Sequence, residues 1–225
     1  MALESWHPLH FLSFSLVGWA DRRRQHDVAE FLLFLLPKLG WLPARLRWGA
    51  RVSVGDLAHE ASGGQTHILT LSSPEGLITR DIQHAVTTWH EQPEIHALED
   101  TPQILFIQLP RLRLHHGARR KHRIPLDLNS RTLHFPMFDS PHVLTCHWAE
   151  YYITTSIVHL GEDLNSGHYR AASFVPGVLG TWHSDDHTPA QALPAVTTEI
   201  AENCYILGCL SLIHISEPTR LESKS

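Results

Sequence analysis

The sequence predicts an α+β fold, and three observations carry that prediction. Apolar residues recur at helical spacing only in blocks before His90. Strand-like runs bounded by turn residues fill most of the chain from Thr101 to Leu207. No internal repeat and no linker separates the two regions, so they read as one unit.

At 225 residues the chain can bury a sizeable single core. Its 43% hydrophobic and 18% charged composition is that of an ordinary globular domain. A net charge of -5 gives no reason to expect nucleic-acid binding. The one basic cluster, Arg119-Arg-Lys-His-Arg123, reads as a solvated loop. Three cysteines, Cys146, Cys204 and Cys209, form no C-x-x-C pair. That usage fits a reducing compartment, cytoplasm or nucleus, and no disulfide framework. The 19 histidines invite a metal reading. However, His115 and His116 are adjacent and would point to opposite faces of a strand, and no H-E-x-x-H occurs. No metal and no cofactor is expected. No apolar run has the length of a membrane span. The apolar stretch Leu9–Gly18 follows Glu4 and no Lys or Arg, which argues against a secretory signal.

Taken in order, Trp6–Ala20 has helix-like spacing at Leu9, Leu12, Leu16 and Trp19. Gln25–Leu36 reads as a helix with Phe31, Leu32, Leu35 and Leu36 on one face, and Pro37 restricts its end. Asp27 and Glu30, three apart, share a neighbouring face. Packing explains the apolar face but leaves the Gln-x-Asp-x-x-Glu-Phe pattern to chance. Trp48–Gly64 is ambiguous, with Gly63-Gly64 as a turn. His67–Leu71 is a short strand, and Asp81–His90 a helix with Ile82, Val86 and Trp89 on one side. Thr101–Arg111 is a buried strand opened by Pro102. Ile124–Leu128 and Leu133–Phe135 read as paired strands.

The chemistry concentrates around Gly161–Ala171. A β-rich run, Tyr151–Leu160, enters the turn residues Gly161, Asp163, Asn165, Ser166 and Gly167. A second strand leaves from Tyr169 to Val175. Gly167, directly before His168, lets another backbone or a substrate come close. His168 is thereby aimed from a strand next to a turn. Trp182-His-Ser-Asp-Asp186 follows, and a carboxylate within reach of His168 would fix its tautomer and stabilise the imidazolium.

These blocks resemble the histidine box of the ubiquitin-specific proteases: His-Leu-Gly, a turn, Ser-Gly-His-Tyr, a strand, then Trp with an acidic residue shortly after. The closing strand resembles Asn203–Leu207, and Gln25–Phe31 is similar to the family's acidic helix. Thr101–Arg111 resembles a further family strand, with Leu112 where Phe is usual and Pro110 intruding. The resemblance implies a papain-like cysteine peptidase fold of this type over residues 6–207. It implies thiol-dependent hydrolysis of isopeptide or peptide bonds after the C-terminal glycine of ubiquitin. His168 would be the general base and acid, with Asp185 or Asp186 as its orienter. Spacing from Trp182 selects Asp186, the intact tandem pair favours Asp185, and both stay open. Gln25, Asp27, Glu30 and Tyr169 would bind the ubiquitin tail, making ubiquitin or a ubiquitinated protein the partner.

Two departures matter. The family's Gly-x-x-Asn-x-Gly-Asn-Thr-Cys-like box should precede the acidic helix, and no residue before Gln25 is Cys. The fold is therefore expected to be incomplete in its Cys-bearing lobe. Either the chain is a truncated reading of a longer gene and inactive as it stands, or it is a non-catalytic ubiquitin-binding or scaffold relative. Cys146 reads as a buried structural thiol rather than a substitute nucleophile. Many members of the family carry a four-cysteine zinc ribbon, and nothing in this sequence could build one. Finally, Cys209–Arg220 resembles a recurrent translation product of sequencing-adapter DNA, so residues 208–225 are expected to be a non-native or disordered tail.

Overall fold

The structure is a computed structural model. It describes residues 19, 26–39, 45–55, 57–71, 79–115, 118–162, 166–176, 180–186 and 188–212. The expected helix over Trp6–Ala20 lies outside the described residues, apart from Trp19. So does Gln25.

Helix α1 (Val28–Leu35) begins later than the apolar pattern suggested. Asp27 is its N-cap: the backbone there is extended, and Oδ1 accepts the Ala29 N–H at 2.8 Å. Asp27 thus caps the helix from just outside it, with Glu30 in the first turn. Leu36–Lys38 forms a 3-10 turn holding Pro37, which cannot donate to a further helical turn. Ala29 and Leu36 are the buried residues of this segment, packed with Ile68, Tyr205 and Ile206. Phe31 is half-buried and meets the edge of Trp19 at 5.4 Å. Helix α2 (Ile82–His90) follows its periodicity closely. Asp81 caps it through Gln83 N–H, and Ile82, Val86 and Trp89 are buried.

Strands β1 (Leu46–Val54) and β2 (Leu57–Thr66) make a long antiparallel hairpin. Gly63 and Gly64 lie inside β2 rather than in a turn. A Cβ on Gly63 would sit 3.0 Å from Trp48 O, so the glycine admits the neighbouring backbone. β3 (Ile68–Thr70) runs parallel to β5 (Ile104–Gln108), and β4 (Ile95–Leu98) pairs with β1. β6 (Leu112–His115) and β7 (Ala118–Lys121) form a separate hairpin. Much of the basic cluster is therefore strand, not loop. Ile124–Leu128 is irregular: Leu126 and Leu128 are buried without joining a ladder.

β8 (Thr132–Phe138), β9 (Cys146–Leu160), β10 (His168–Phe174), β11 (Thr181–Asp185) and β12 (Thr188–Leu193) form an antiparallel run. Short helix α3 (Thr198–Asn203) leads into β13 (Cys204–Ser211). The strands other than β6 and β7 make one 11-stranded sheet, ordered β12-β11-β10-β9-β8-β4-β1-β2, with β13, β5 and β3 branching from β9. β9 is long enough to pair with β8 and then β10, and also with β13. Its buried residues Tyr151, Ile153 and Val158 join Leu105, Ile107, Phe135 and Leu207 in the main core.

β13 does not stop at the expected boundary after Leu207. Gly208–Ser211 continue its pairing with β9, with Cys209 and Ser211 buried. The end of that expected tail, 213–225, lies outside the described residues. Arg111 is 1% exposed and donates to the carbonyls of Cys204, His122, Ile124 and Ala201 at 2.6–3.2 Å. It ties the end of α3 and the start of β13 to the 122–124 segment.

Candidate active site

The hairpin from β9 to β10 is local in sequence, and two glycines shape it. Gly167 has φ 123°, and a Cβ on Gly161 would collide with Ser166 O. His168 emerges paired with Leu160. Strand alternation puts His168 and Arg170 on the same face as buried Ala172 and Phe174. Across the ladder, Phe174 pairs with Thr181 and Ala172 with His183. Continuing that register sets Asp185 opposite Arg170 and diagonal to His168. A diagonal neighbour is within reach of side chains of this length.

The contacts follow that register. Asp185 Oδ1 is hydrogen-bonded to His168 Nε2 and accepts the Asp186 N–H at 2.8 Å. Its Oδ2 lies 2.9 Å from Arg170 Nε. The His168 hydrogen bond, chiefly, holds the Asp185 carboxyl below the usual carboxylate range; the Asp186 N–H and the Arg170 charge add to it against a desolvation cost. Asp186 is more exposed, and its Oδ2 is 3.8 Å from His168 Nδ1, beyond hydrogen-bond length. With Nε2 committed to Asp185, Nδ1 is the ring atom left to exchange a proton with another group.

His168, Asp185 and Asp186 offer ligand atoms within 4.8 Å of one another, the one set of its kind among the described residues. Both Asp185 oxygens are already engaged, one of them by a cation, so the arrangement is that of a hydrogen-bonded dyad.

None of the three cysteines adjoins this dyad as an activated thiol. Cys146 opens the 15-residue strand whose far end pairs with His168. Such a strand spans roughly 45–50 Å. Burial pushes its thiol up to about 11. Cys204 is buried, accepts the Ser156 hydroxyl at 3.1 Å, and is also pushed up to about 11 by burial. Cys209 is buried and pushed up likewise.

The acidic candidates separate. Asp27 Oδ2 accepts the Tyr205 hydroxyl at 2.8 Å. Gln108 donates to Tyr205 at 2.6 Å, and Thr70 donates to Gln108 at 2.9 Å. A polar chain thus fastens the start of α1 to β13, β5 and β3. Tyr169 lies beside it, its ring 4.7 Å from that of His159. Burial first, then the Asp27 charge, pushes its buried hydroxyl up to about 12, with the Val28 backbone opposing. Glu30 is exposed and apart from this chain. Sequence reasoning missed Arg170, Glu199 and Tyr205. Only the alternation of His168 and Arg170 along β10 hinted at the first.

Fold and site together define a papain-like peptidase architecture that presents a histidine–carboxylate dyad from adjacent strands. Residues 5–207 match the sequence profile of the family described as "Ubiquitin carboxyl-terminal hydrolase", and the chain belongs to that family. Among solved structures it is similar to the Ubp8–Sgf11–Sgf73–Sus1 SAGA DUB module, with TM-score 0.62 and 16% identity over 93% of this chain and 54% of that one. It is also similar to that module bound to ubiquitin aldehyde, with TM-score 0.65 and 15% identity over 90% of this chain and 54% of that one. A Ubp8 variant module bound to monoubiquitin matches at TM-score 0.59 and 13% identity, covering 90% and 53%. The chain therefore spans about half the length of the solved chains it matches. No curated protein matches it significantly. Among the described residues no helix is long and apolar enough to cross a membrane.

Proposed function

We propose that this chain carries the acid–base half of a thiol hydrolase acting after the C-terminal glycine of ubiquitin. The observation that supports this reading is the His168–Asp185 pair, with Nδ1 turned away from its carboxylate partner. In the proposed reaction His168 Nδ1 takes the proton of a thiol, and the sulfur attacks the carbonyl carbon. His168 then returns the proton to the departing lysine amine as the C–N bond breaks. Water activated by the same ring hydrolyses the thioester and frees the glycine carboxylate. Asp185 holds the ring and stabilises its charge.

The thiol in this scheme comes from a segment other than Cys146, Cys204 or Cys209. The chain alone is accordingly expected to be inactive. Asp27 and Tyr169 offer a carboxylate and a buried hydroxyl near one another for the ubiquitin tail, with Glu30 on the outer face of α1 and Gln25 just before it. Three unpaired thiols fit a cytoplasmic or nuclear setting.

A second reading, a ubiquitin-binding module without turnover, is favoured by the distance of Cys146 from His168 and by the raised thiols. The discriminating experiment joins any upstream coding sequence to this chain and measures cleavage of a fluorogenic ubiquitin conjugate. Turnover that requires His168 supports the hydrolase. Binding without turnover supports the module. Turnover by the present chain alone, lost in Cys146→Ser, would overturn the assignment of the thiol.

A further inference from the structure

We infer that Arg170 is a positioning residue that makes Asp185, rather than Asp186, the partner of His168. The inference rests on the hydrolase reading for its consequence, but not for its test. Two adjacent carboxylates flank one imidazole, Asp185 at Nε2 and Asp186 at 3.8 Å from Nδ1. Were Asp186 to capture the ring proton, Nδ1 would carry it and could no longer accept one. Something must break the near symmetry.

Arg170 does so from two sides. Its Nε meets Asp185 Oδ2 at 2.9 Å, and its Nη1 donates to Glu199 Oε1 at 2.7 Å. Glu199 lies in the first turn of α3, which is anchored through Ala201 to buried Arg111. The guanidinium is thus stretched between two carboxylates on separate elements, hydrogen-bonded to one and ion-paired with the other. Its Nε–H is not aligned for a hydrogen bond, so the hold on Asp185 is chiefly Coulombic. With Oδ2 drawn toward Arg170 and Oδ1 receiving the Asp186 N–H, the Asp185 carboxylate can rotate little, and Oδ1 stays on Nε2. The Asp186 carboxylate, 67% exposed, has no such support. Among the described residues, the charged groups tied to the ring are Asp185 and Asp186 from the β11 end, Arg170 from its own strand, and Glu199 behind Arg170.

The test reads the ring tautomer directly, with no substrate and no nucleophile. The full chain is labelled with 15N-histidine and the His168 ring nitrogens are assigned by their loss in His168→Gln. Spectra are taken at about pH 8.5, where an ordinary imidazole is neutral. The unaltered chain should hold the proton on Nε2 in about nine molecules of ten or more. Arg170→Gln should let Asp186 compete and raise the Nδ1–H form to about one third or more. Arg170→Lys, a point charge without the fork, should fall between. Glu199→Gln frees the far end of Arg170 without touching the dyad and should give a smaller shift in the same direction. An unchanged tautomer in a folded Arg170→Gln overturns the inference. If that variant does not fold, an unchanged tautomer in Glu199→Gln overturns it instead. Either result leaves the hydrolase reading standing, since that reading is tested separately, by turnover and its dependence on His168.

Discussion

Arg111→Met tests whether the buried guanidinium holds the site-bearing half of the domain together. The side chain is 1% exposed and its four acceptors are all carbonyls, from Cys204, His122, Ile124 and Ala201. Methionine fills similar length without a donor. The Ala201 carbonyl keeps another partner, the Leu126 N–H at 3.1 Å. The others lose a charge-assisted hydrogen bond, and any buried carbonyl left unsatisfied costs about 1–3 kcal/mol. Relaxation and removal of the buried charge's own desolvation cost offset part of that sum. A net loss of about 3–5 kcal/mol is expected, a large share of the about 5–15 kcal/mol that ordinary domains possess. For a chain of this size the melting temperature should fall by roughly 10 °C. Urea unfolding followed by tryptophan fluorescence measures it, and the slope should stay constant while the midpoint drops. A loss below about 1 kcal/mol would refute the reasoning and mean that water or backbone shifts satisfy those carbonyls.

Four further outcomes are expected. In a polypeptide that cleaves ubiquitin conjugates, His168→Ala should lower turnover by about 10²–10⁴ and leave ubiquitin affinity nearly unchanged; full activity would remove the mechanism proposed for this chain. In that same background Asp185→Asn should lower turnover clearly and Asp186→Asn little. An asparagine at 185 must either set its amide against Arg170 or turn it toward Nε2 and force the wrong tautomer, so equal effects at both positions would count against the dyad as drawn. If the chain retains ubiquitin affinity, Asp27→Asn, which keeps the N-cap but loses the charge, should weaken it in a salt-dependent way without melting α1; unchanged affinity would leave Asp27 as a structural clasp to Tyr205 only. Cys146, with its thiol pushed up to about 11 by burial, is mostly protonated near neutral pH, and its alkylation rate should rise about tenfold per pH unit toward that value. A plateau near pH 8.5 would show an activated thiol instead.

What the sequence determined by itself was short in range. The turn between Leu160 and His168 is written in its glycines, because only they admit the φ of 123° and the close backbone contact found there. Asp81 announces the start of α2, and the period of Ile82, Val86 and Trp89 gives its buried face. The histidine on a strand beside a turn was legible for the same reason: hairpins pair neighbours in the chain. Tertiary structure decided what depends on register and on distant partners. Counting from Trp182 could not separate Asp185 from Asp186, whereas alternation with Thr181 and His183 puts Asp185 on the histidine's face. Asp27 looked like a helix-face residue until Tyr205, far along the chain, supplied a hydroxyl to its free oxygen. Arg170 carried no assignment until Glu199 and Asp185 met it from two other elements. Arg111 carried no sign that four carbonyls would converge on it. The pattern of side chains fixes which face of a strand or helix is buried. Only the folded sheet brings together charges whose meeting no local spacing encodes.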